Sequence, residues 1–188
     1  MRWEQLFADM EAQLAAASQQ ALEEEAAEQA RTEYSRVRLA DRLRARHGEP
    51  VRALLAGAVP VEGRVRASGA GWVALEDRGS EHLVPLGAVL WWESLGRGWE
   101  QPGGGPVTVR LGLGHALRAL GRGRARVRVR LTSGGPLGEV DGTIDAVGED
   151  FFDLALHPDA DYRRRGSVTA LRAVPFSALV CVSSLAAG

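Results

Sequence analysis

The chain has 188 residues, enough for one ordinary domain or two very small ones. An apolar fraction of 45% and a charged fraction of 25% are typical of globular proteins and exclude disorder throughout. All 23 basic residues are arginine, and the net charge of -1 combines an acidic amino-terminal segment with a mildly basic carboxy-terminal half. No segment has the roughly 20 apolar residues that span a bilayer, and no signal peptide is evident, so we expect a cytoplasmic protein.

Residues 1–38 are predicted to form an amphipathic helical segment, since the first glycine is Gly48. Its apolar residues recur at three- and four-residue spacing near the amino terminus: Trp3, Leu6, Phe7, Met10 and Leu14. A helix this long cannot bury itself along its whole length on a small domain. Two interpretations stay open. Either these residues mediate dimerisation or docking onto a protein partner, or one face lies on the rest of the chain with a break near residues 18–20. A second break near residues 32–35 would leave a separate short helix before Gly48.

The rest of the chain contains an internal duplication. The stretch VEGRVRASGAGWVALED, residues 61–77, is repeated as VDGTIDAVGEDFFDLAL, residues 140–156, with Gly63 matching Gly142 at a constant offset. The match resumes after a loop of different length, where residues 84–89 correspond to 174–179. Each repeat reads as a short helix followed by about five short strands with Gly-marked turns, a pattern typical of a small barrel.

The duplication predicts an α+β fold that is mainly β. We expect a long amino-terminal helix, a first and more degenerate barrel over residues 39–93, and a second barrel over residues 107–184. Residues 94–106, rich in Gly and Pro, would join the two as a linker.

Each predicted repeat resembles the Sm-like barrel of Hfq and its relatives. The resemblance rests on the Gly of the second strand (VEG, VDG), the Gly-x-x-aromatic turn into the third, and the closing apolar pair of strands, and it is closer for residues 112–184. The whole chain is similar to a set of uncharacterised actinobacterial proteins that open with an MRWEQLFADMEAQ-like helix. The turns VPLGAV and VPFSAL lack the basic or polar signature of RNA-binding Sm proteins, so the resemblance does not extend to a uridine pocket. Tandem fusion also disfavours a ring of equivalent single barrels.

An arginine ladder in the second repeat is the candidate nucleic-acid-binding surface. Alternate residues of ARVRVRL would place guanidinium groups on one strand face at a spacing of about 6–7 Å, close to that of phosphates along an extended single strand. A solvated strand face, neutralised by acids of the same domain, is the favoured alternative. The candidate residues are Arg122, Arg124, Arg126, Arg128, Arg130, Arg163, Arg164 and Arg165.

Trp91, Trp92 and Trp99 form a second cluster. In a regular strand one of the first two must point outward, and an exposed indole usually marks a partner or a neighbouring domain. We expect these residues to pack between the two barrels, in preference to a ligand or protein site.

Catalysis has little support in the sequence. The four histidines are dispersed, and none has a Cys, His or acidic residue at metal-ligand spacing, while Cys181 lies in an apolar strand-like run. We expect no enzyme, no metal, no cofactor and no small-molecule substrate. The favoured function is a non-enzymatic cytoplasmic adaptor or scaffold that self-associates or docks through its amino-terminal helix. The alternative is an RNA- or DNA-binding regulator that uses the arginine ladder.

Overall fold

The structure is a computed structural model that describes residues 2–93, 95–96, 98–99, 111–132, 138–156 and 170–184. The chain divides into two compact units. The first is the amino-terminal unit, residues 1–38, and the second, residues 39–188, is called here the sheet unit.

The amino-terminal unit is a single helix, α1, which spans Arg2–Tyr34. It runs unbroken through residues 18–20, where a break in the helix was one of the two interpretations of the sequence. Helix-compatible contacts hold this stretch: the Ser18 hydroxyl donates to the Ala15 carbonyl at 2.9 Å, and the Gln19 amide donates to Glu23 one turn later at 3.1 Å. The helix ends within the second stretch at which a break is expected, and a separate short helix follows it.

The described part of the sheet unit contains two short helices and ten strands. Each half begins with a helix, and a single 3₁₀ turn precedes the last strand of each half, at Leu86–Ala88 and Phe176–Ala178. The elements of the first half are α2 (Leu39–Arg44), β1 (Pro50–Leu55), β2 (Val59–Gly69), β3 (Trp72–Asp77), β4 (Ser80–Pro85) and β5 (Val89–Glu93). Those of the second half are α3 (Leu113–Arg122), β6 (Val127–Leu131), β7 (Glu139–Val147), β8 (Phe151–Leu156), β9 (Ala170–Pro175) and β10 (Leu179–Ser184).

All ten strands join one antiparallel sheet in the order β5-β1-β2-β3-β4-β10-β6-β7-β8-β9. Over the described residues the sheet is open, with β5 and β9 as its two edges. The predicted arrangement of two separate closed barrels is therefore not confirmed. The two halves are joined because β4 of the first pairs with β10 of the second, a contact that the pattern within either repeat cannot reveal.

The duplication is visible in the strand order and in matching local details. Each half has its strands in the order fifth, first, second, third, fourth. The second strand of each carries a bulge at the matching place, between Val65 and Ala67 and between Ile144 and Ala146. The 3₁₀ turns are also anchored alike: the amide of Leu86 donates to the carbonyl of Gly71 at 2.9 Å, and the corresponding amide of Phe176 to that of Asp150 at 2.8 Å. We call residues 39–93 the first repeat and residues 111–184 the second repeat.

The sheet unit has two apolar cores, one for each repeat. Leu43 of α2 is fully buried in the first core, and Leu117 of α3 and Phe152 of β8 are fully buried in the second. The cores exchange side chains at the junction: residues 180 and 181 of β10 belong to the first core, and residues 72 and 83 of the first repeat belong to the second. The repeats are therefore packed against each other as well as hydrogen-bonded.

Candidate functional site

The apolar stripe of α1 is the most exposed of the predicted surfaces. Trp3, Phe7, Met10 and Leu14 have between 49% and 72% of their surface accessible. They are separated by four, three and four residues, so they lie along one side of the helix. Leu6 belongs to the same helix, but its side chain lies outside the described part of the chain. Large apolar residues grouped on an exposed face mark an interaction surface.

The predicted arginine ladder is divided among several local structures. Arg122 is the last residue of α3, Arg124 lies in the following turn with a φ of 45°, and Arg126 precedes β6. Only Arg128 and Arg130 lie within the strand. The five residues therefore do not form one strand face, because the chain must turn between helix and strand and β6 is shorter than the sequence alternation suggests. Residues 163–165 of the predicted set lie outside the described residues.

The arginines nearest β6 have acidic partners on β7. Arg128 stands opposite Asp141 in the register of the two strands and binds it through two parallel hydrogen bonds, from Nε to Oδ1 at 2.8 Å and from Nη2 to Oδ2 at 3.0 Å. Arg130 lies opposite Glu139 with Nε 3.7 Å from Oε2, and Arg126 places Nη2 3.6 Å from Oδ2 of Asp141. The positive charges of these three arginines are therefore balanced by the carboxylates of β7.

The ionisation of the pair reflects these contacts. The hydrogen bonds from Arg128 lower the pKa of Asp141, and the charges of Arg128 and Arg126 lower it further. The same hydrogen bond raises the pKa of Arg128. Both groups are therefore held in their charged forms, and a phosphate that approached Arg128 would compete with a carboxylate already bound to it.

The tryptophans of β5 lie at an outer edge of the sheet. Trp91 is 44% exposed, whereas Trp92 is half-buried against the first core. The indole N–H of Trp92 is buried and has no hydrogen-bond partner among the described residues. Trp99 is half-buried beyond the strand. The structure thus places Trp91 and Trp92 away from the junction between the repeats, which β4 and β10 form instead.

The titratable groups with a nucleophilic or basic character are scattered or buried. His82, on β4, lies with Nδ1 2.8 Å from the Ser183 hydroxyl, and burial lowers its pKa. Burial also raises the pKa of the Cys181 thiol on β10, which keeps it protonated. His157 lies outside the described residues. Over the described ranges, no three His, Cys, Asp or Glu side chains are grouped so that they could hold a metal ion.

No family model, no curated protein and no solved structure matches this chain. Among the described helices, none is both long enough and apolar enough to cross a membrane. We therefore infer function from the exposed surfaces of the chain itself.

The junction of the repeats also forms a groove that the sequence does not predict. It has a volume of about 310 Å³, and residues of β3, β4 and α3 line it, with Trp72, His82 and Leu120 among them. Its walls come from both repeats, so it exists only because β4 pairs with β10. No pattern within either repeat could have indicated it.

Proposed function

We propose that the protein is a non-enzymatic cytoplasmic adaptor that self-associates through α1, with the two β-repeats as a rigid scaffold. The exposed apolar stripe of α1 carries this proposal. The shared strand order of the two repeats, with a 3₁₀ turn before each fifth strand, supports the further proposal that they are a fused pair of Sm-like units.

The helix has the length and spacing of a self-association element. Its 33 residues extend for about 50 Å at about 1.5 Å per residue. Alternating four- and three-residue spacing is the seam of a coiled coil, and Ala17 and Ala21 continue it by two positions. A helix in water draws most of its stability from packing such a face, and burial of each of Phe7, Met10 and Leu14 would contribute about 1.5–3 kcal/mol. A second copy of α1 presents the matching surface.

Charge insertion on the two sides of α1 tests the proposal. Phe7→Glu combined with Leu14→Glu places two carboxylates on the apolar stripe. Ala12→Glu combined with Gln19→Glu places the same two residues on the opposite face and is the matched control. Sedimentation equilibrium of the full chain should give a lower mass for the stripe variant and an unchanged mass for the control. Equal masses for the wild-type chain and the stripe variant would contradict self-association through this helix.

Nucleic-acid binding is the second hypothesis, and the ion pairs on β6 weigh against it. Displacing Asp141 and Glu139 would offset part of what a phosphate contact contributes. The test is retention of single-stranded RNA and DNA at several salt concentrations, with Arg124, Arg126 and Arg128 changed to Glu. The hypothesis would be supported if this variant no longer retained nucleic acid in a salt-dependent way, while a control variant with Arg52 and Arg66 changed to Glu still did. Equal retention by the variant and the wild-type chain would exclude the predicted ladder.

A further inference from the structure

The apolar stripe of α1 becomes narrower along the helix. Its amino-terminal members, Trp3 and Phe7, are large, whereas its last two members are Ala17 and Ala21. All four residues are exposed. The separation of two packed helices follows the side chains at their contact, so two such stripes pack evenly only if the large end of one meets the small end of the other. The taper of the stripe therefore favours one orientation of a helix pair over the other.

Parallel pairing in register would place each residue opposite its own copy. Trp3 would then face Trp3 at one end of the stripe, and Ala21 would face Ala21 at the other. Two indole rings need a wider helix separation than two methyl groups, so the separation that suits the first end would leave a gap at the second. A parallel pair would therefore leave the alanine end of the stripe poorly packed.

Acidic residues follow the stripe on the same side of α1. The alternating three- and four-residue spacing leads from Ala21 to Glu24 and Glu28, and Glu25 lies beside them, all three exposed. In a parallel pair each of these carboxylates would meet its own copy across the seam, and like charges so close together oppose association. Arg31 lies 3.3 Å from Glu28 of its own helix and balances one of the three carboxylates. The carboxy-terminal half of α1 therefore also disfavours parallel pairing.

We infer that two copies of α1 pair antiparallel, with residue 12 of each copy at a twofold axis. The inference rests on the proposed self-association through α1 and adds the orientation of the two helices. Each of the two aromatic side chains then faces an alanine of the other copy, and the two remaining residues of similar size face each other: Trp3 faces Ala21, Phe7 faces Ala17, and Met10 faces Leu14. The same surface is used by both copies, so the contact is complete with two chains.

This register also separates the acidic residues of the two copies. Because α1 begins at Arg2, Glu24 and Glu25 of one copy lie beside the first turn of the other, where free backbone N–H groups give the helix a partial positive charge. Glu28 extends past that turn. One like-charge contact remains, between the two copies of Glu11 beside the axis, and Glu11 is exposed, so water and salt screen the repulsion.

Antiparallel pairing fixes the distance between the carboxy-terminal ends of the two helices. From the axis at residue 12 to Tyr34, each helix extends for about 33 Å at about 1.5 Å per residue, so the two ends lie about 65 Å apart. In a parallel pair the same ends would be separated by the helix spacing alone, about 8–10 Å. An adaptor paired in this way thus holds the chains that follow its two helices far apart.

Distances between spin labels on two copies of the full chain test the orientation. Gln13→Cys places a nitroxide label next to the axis and Thr32→Cys places one near the end of α1, both at exposed positions. The native Cys181 is 2% exposed, and the wild-type chain treated with the same label measures its contribution. Each labelled chain is also made with Phe7→Glu and Leu14→Glu on the stripe, and with Ala12→Glu and Gln19→Glu on the opposite face as the matched control. Double electron–electron resonance gives the distances.

The expected distances are below about 25 Å for the label at residue 13 and about 60 Å for the label at residue 32. Both signals should disappear in the stripe variant and remain in the matched control. Short distances from both labels would overturn the antiparallel pairing and leave self-association through α1 intact. The absence of a dipolar signal from both labels would refute self-association itself, and the proposed function with it. Failure of the orientation is therefore distinguishable from failure of the proposed function.

Discussion

Gly142 of β7 lies close to the backbone of β8, so replacing it with alanine should destabilise the fold. A methyl group there would lie 2.5 Å from the carbonyl oxygen of Ala155 and 3.0 Å from Cγ of Leu154, whereas ordinary contacts begin at 3.4 Å. The oxygen belongs to a strand paired on both sides, so it cannot move without disturbing the sheet. Overpacking of this kind costs about 1–3 kcal/mol, and we expect Gly142→Ala at the upper end, about 3 kcal/mol.

The duplication supplies a graded comparison. The matching Gly63→Ala would bring its methyl group to 2.9 Å from the carbonyl oxygen of Glu76, a milder approach, so we expect a smaller cost of about 1–2 kcal/mol. Gly87, by contrast, has no neighbour within 4 Å, so Gly87→Ala is the control and should be neutral or slightly stabilising.

Urea unfolding followed by both tryptophan fluorescence and far-ultraviolet circular dichroism measures these differences and checks that the transition is cooperative. With an m value of about 2 kcal/mol/M, Gly142→Ala should lower the midpoint by about 1.5 M. A shift no larger than that of Gly87→Ala would refute the close approach of β7 to β8.

Three other predictions concern packing and pH. Leu117→Ala should lower the free energy of unfolding by about 2–5 kcal/mol because the side chain is fully buried. Leu22 of α1 is 62% exposed, so Leu22→Ala should change the free energy of unfolding by less than about 0.5 kcal/mol. Equal effects of the two substitutions in urea unfolding would contradict the assignment of α3 to the core. Burial lowers the pKa of His82, so the folded chain binds a proton at this residue less readily than the unfolded chain, and the free energy of unfolding should fall as pH drops below about 6.5. His82→Gln should remove this part of the pH dependence. An NMR titration that placed the pKa of His82 above 6.5 would contradict the prediction. Arg128 lowers the pKa of Asp141, so the stability from this pair is complete above about pH 3.9 and is lost as pH falls through the folded pKa. Asp141→Asn should remove this contribution at neutral pH, at a cost below about 1 kcal/mol because Arg128 is 42% exposed. If the variant and the wild-type chain lose stability equally at acidic pH, the pairing is contradicted.

The sequence predicted much of the local structure because the duplication constrains it twice. The match of Gly63 with Gly142 located two second strands, each of which carries a bulge between the residues two and four positions further on. The helix over α1 followed from the absence of Gly and Pro before Gly48. These features depend on residues close together in the chain, so their pattern is local and readable.

The arrangement of the repeats was not predictable in this way. Whether two fused β-units close separately or share a sheet depends on the pairing of β4 with β10, whose partners are about 100 residues apart. The alternation in ARVRVRL correctly indicated a strand but gave no sign of where α3 ends, so Arg122 and Arg124 were predicted on a strand that begins at Val127. The sequence indicated only that acids of the same domain could neutralise the arginines and did not identify Asp141 or Glu139, because register across β6 and β7 decides which carboxylate faces which guanidinium.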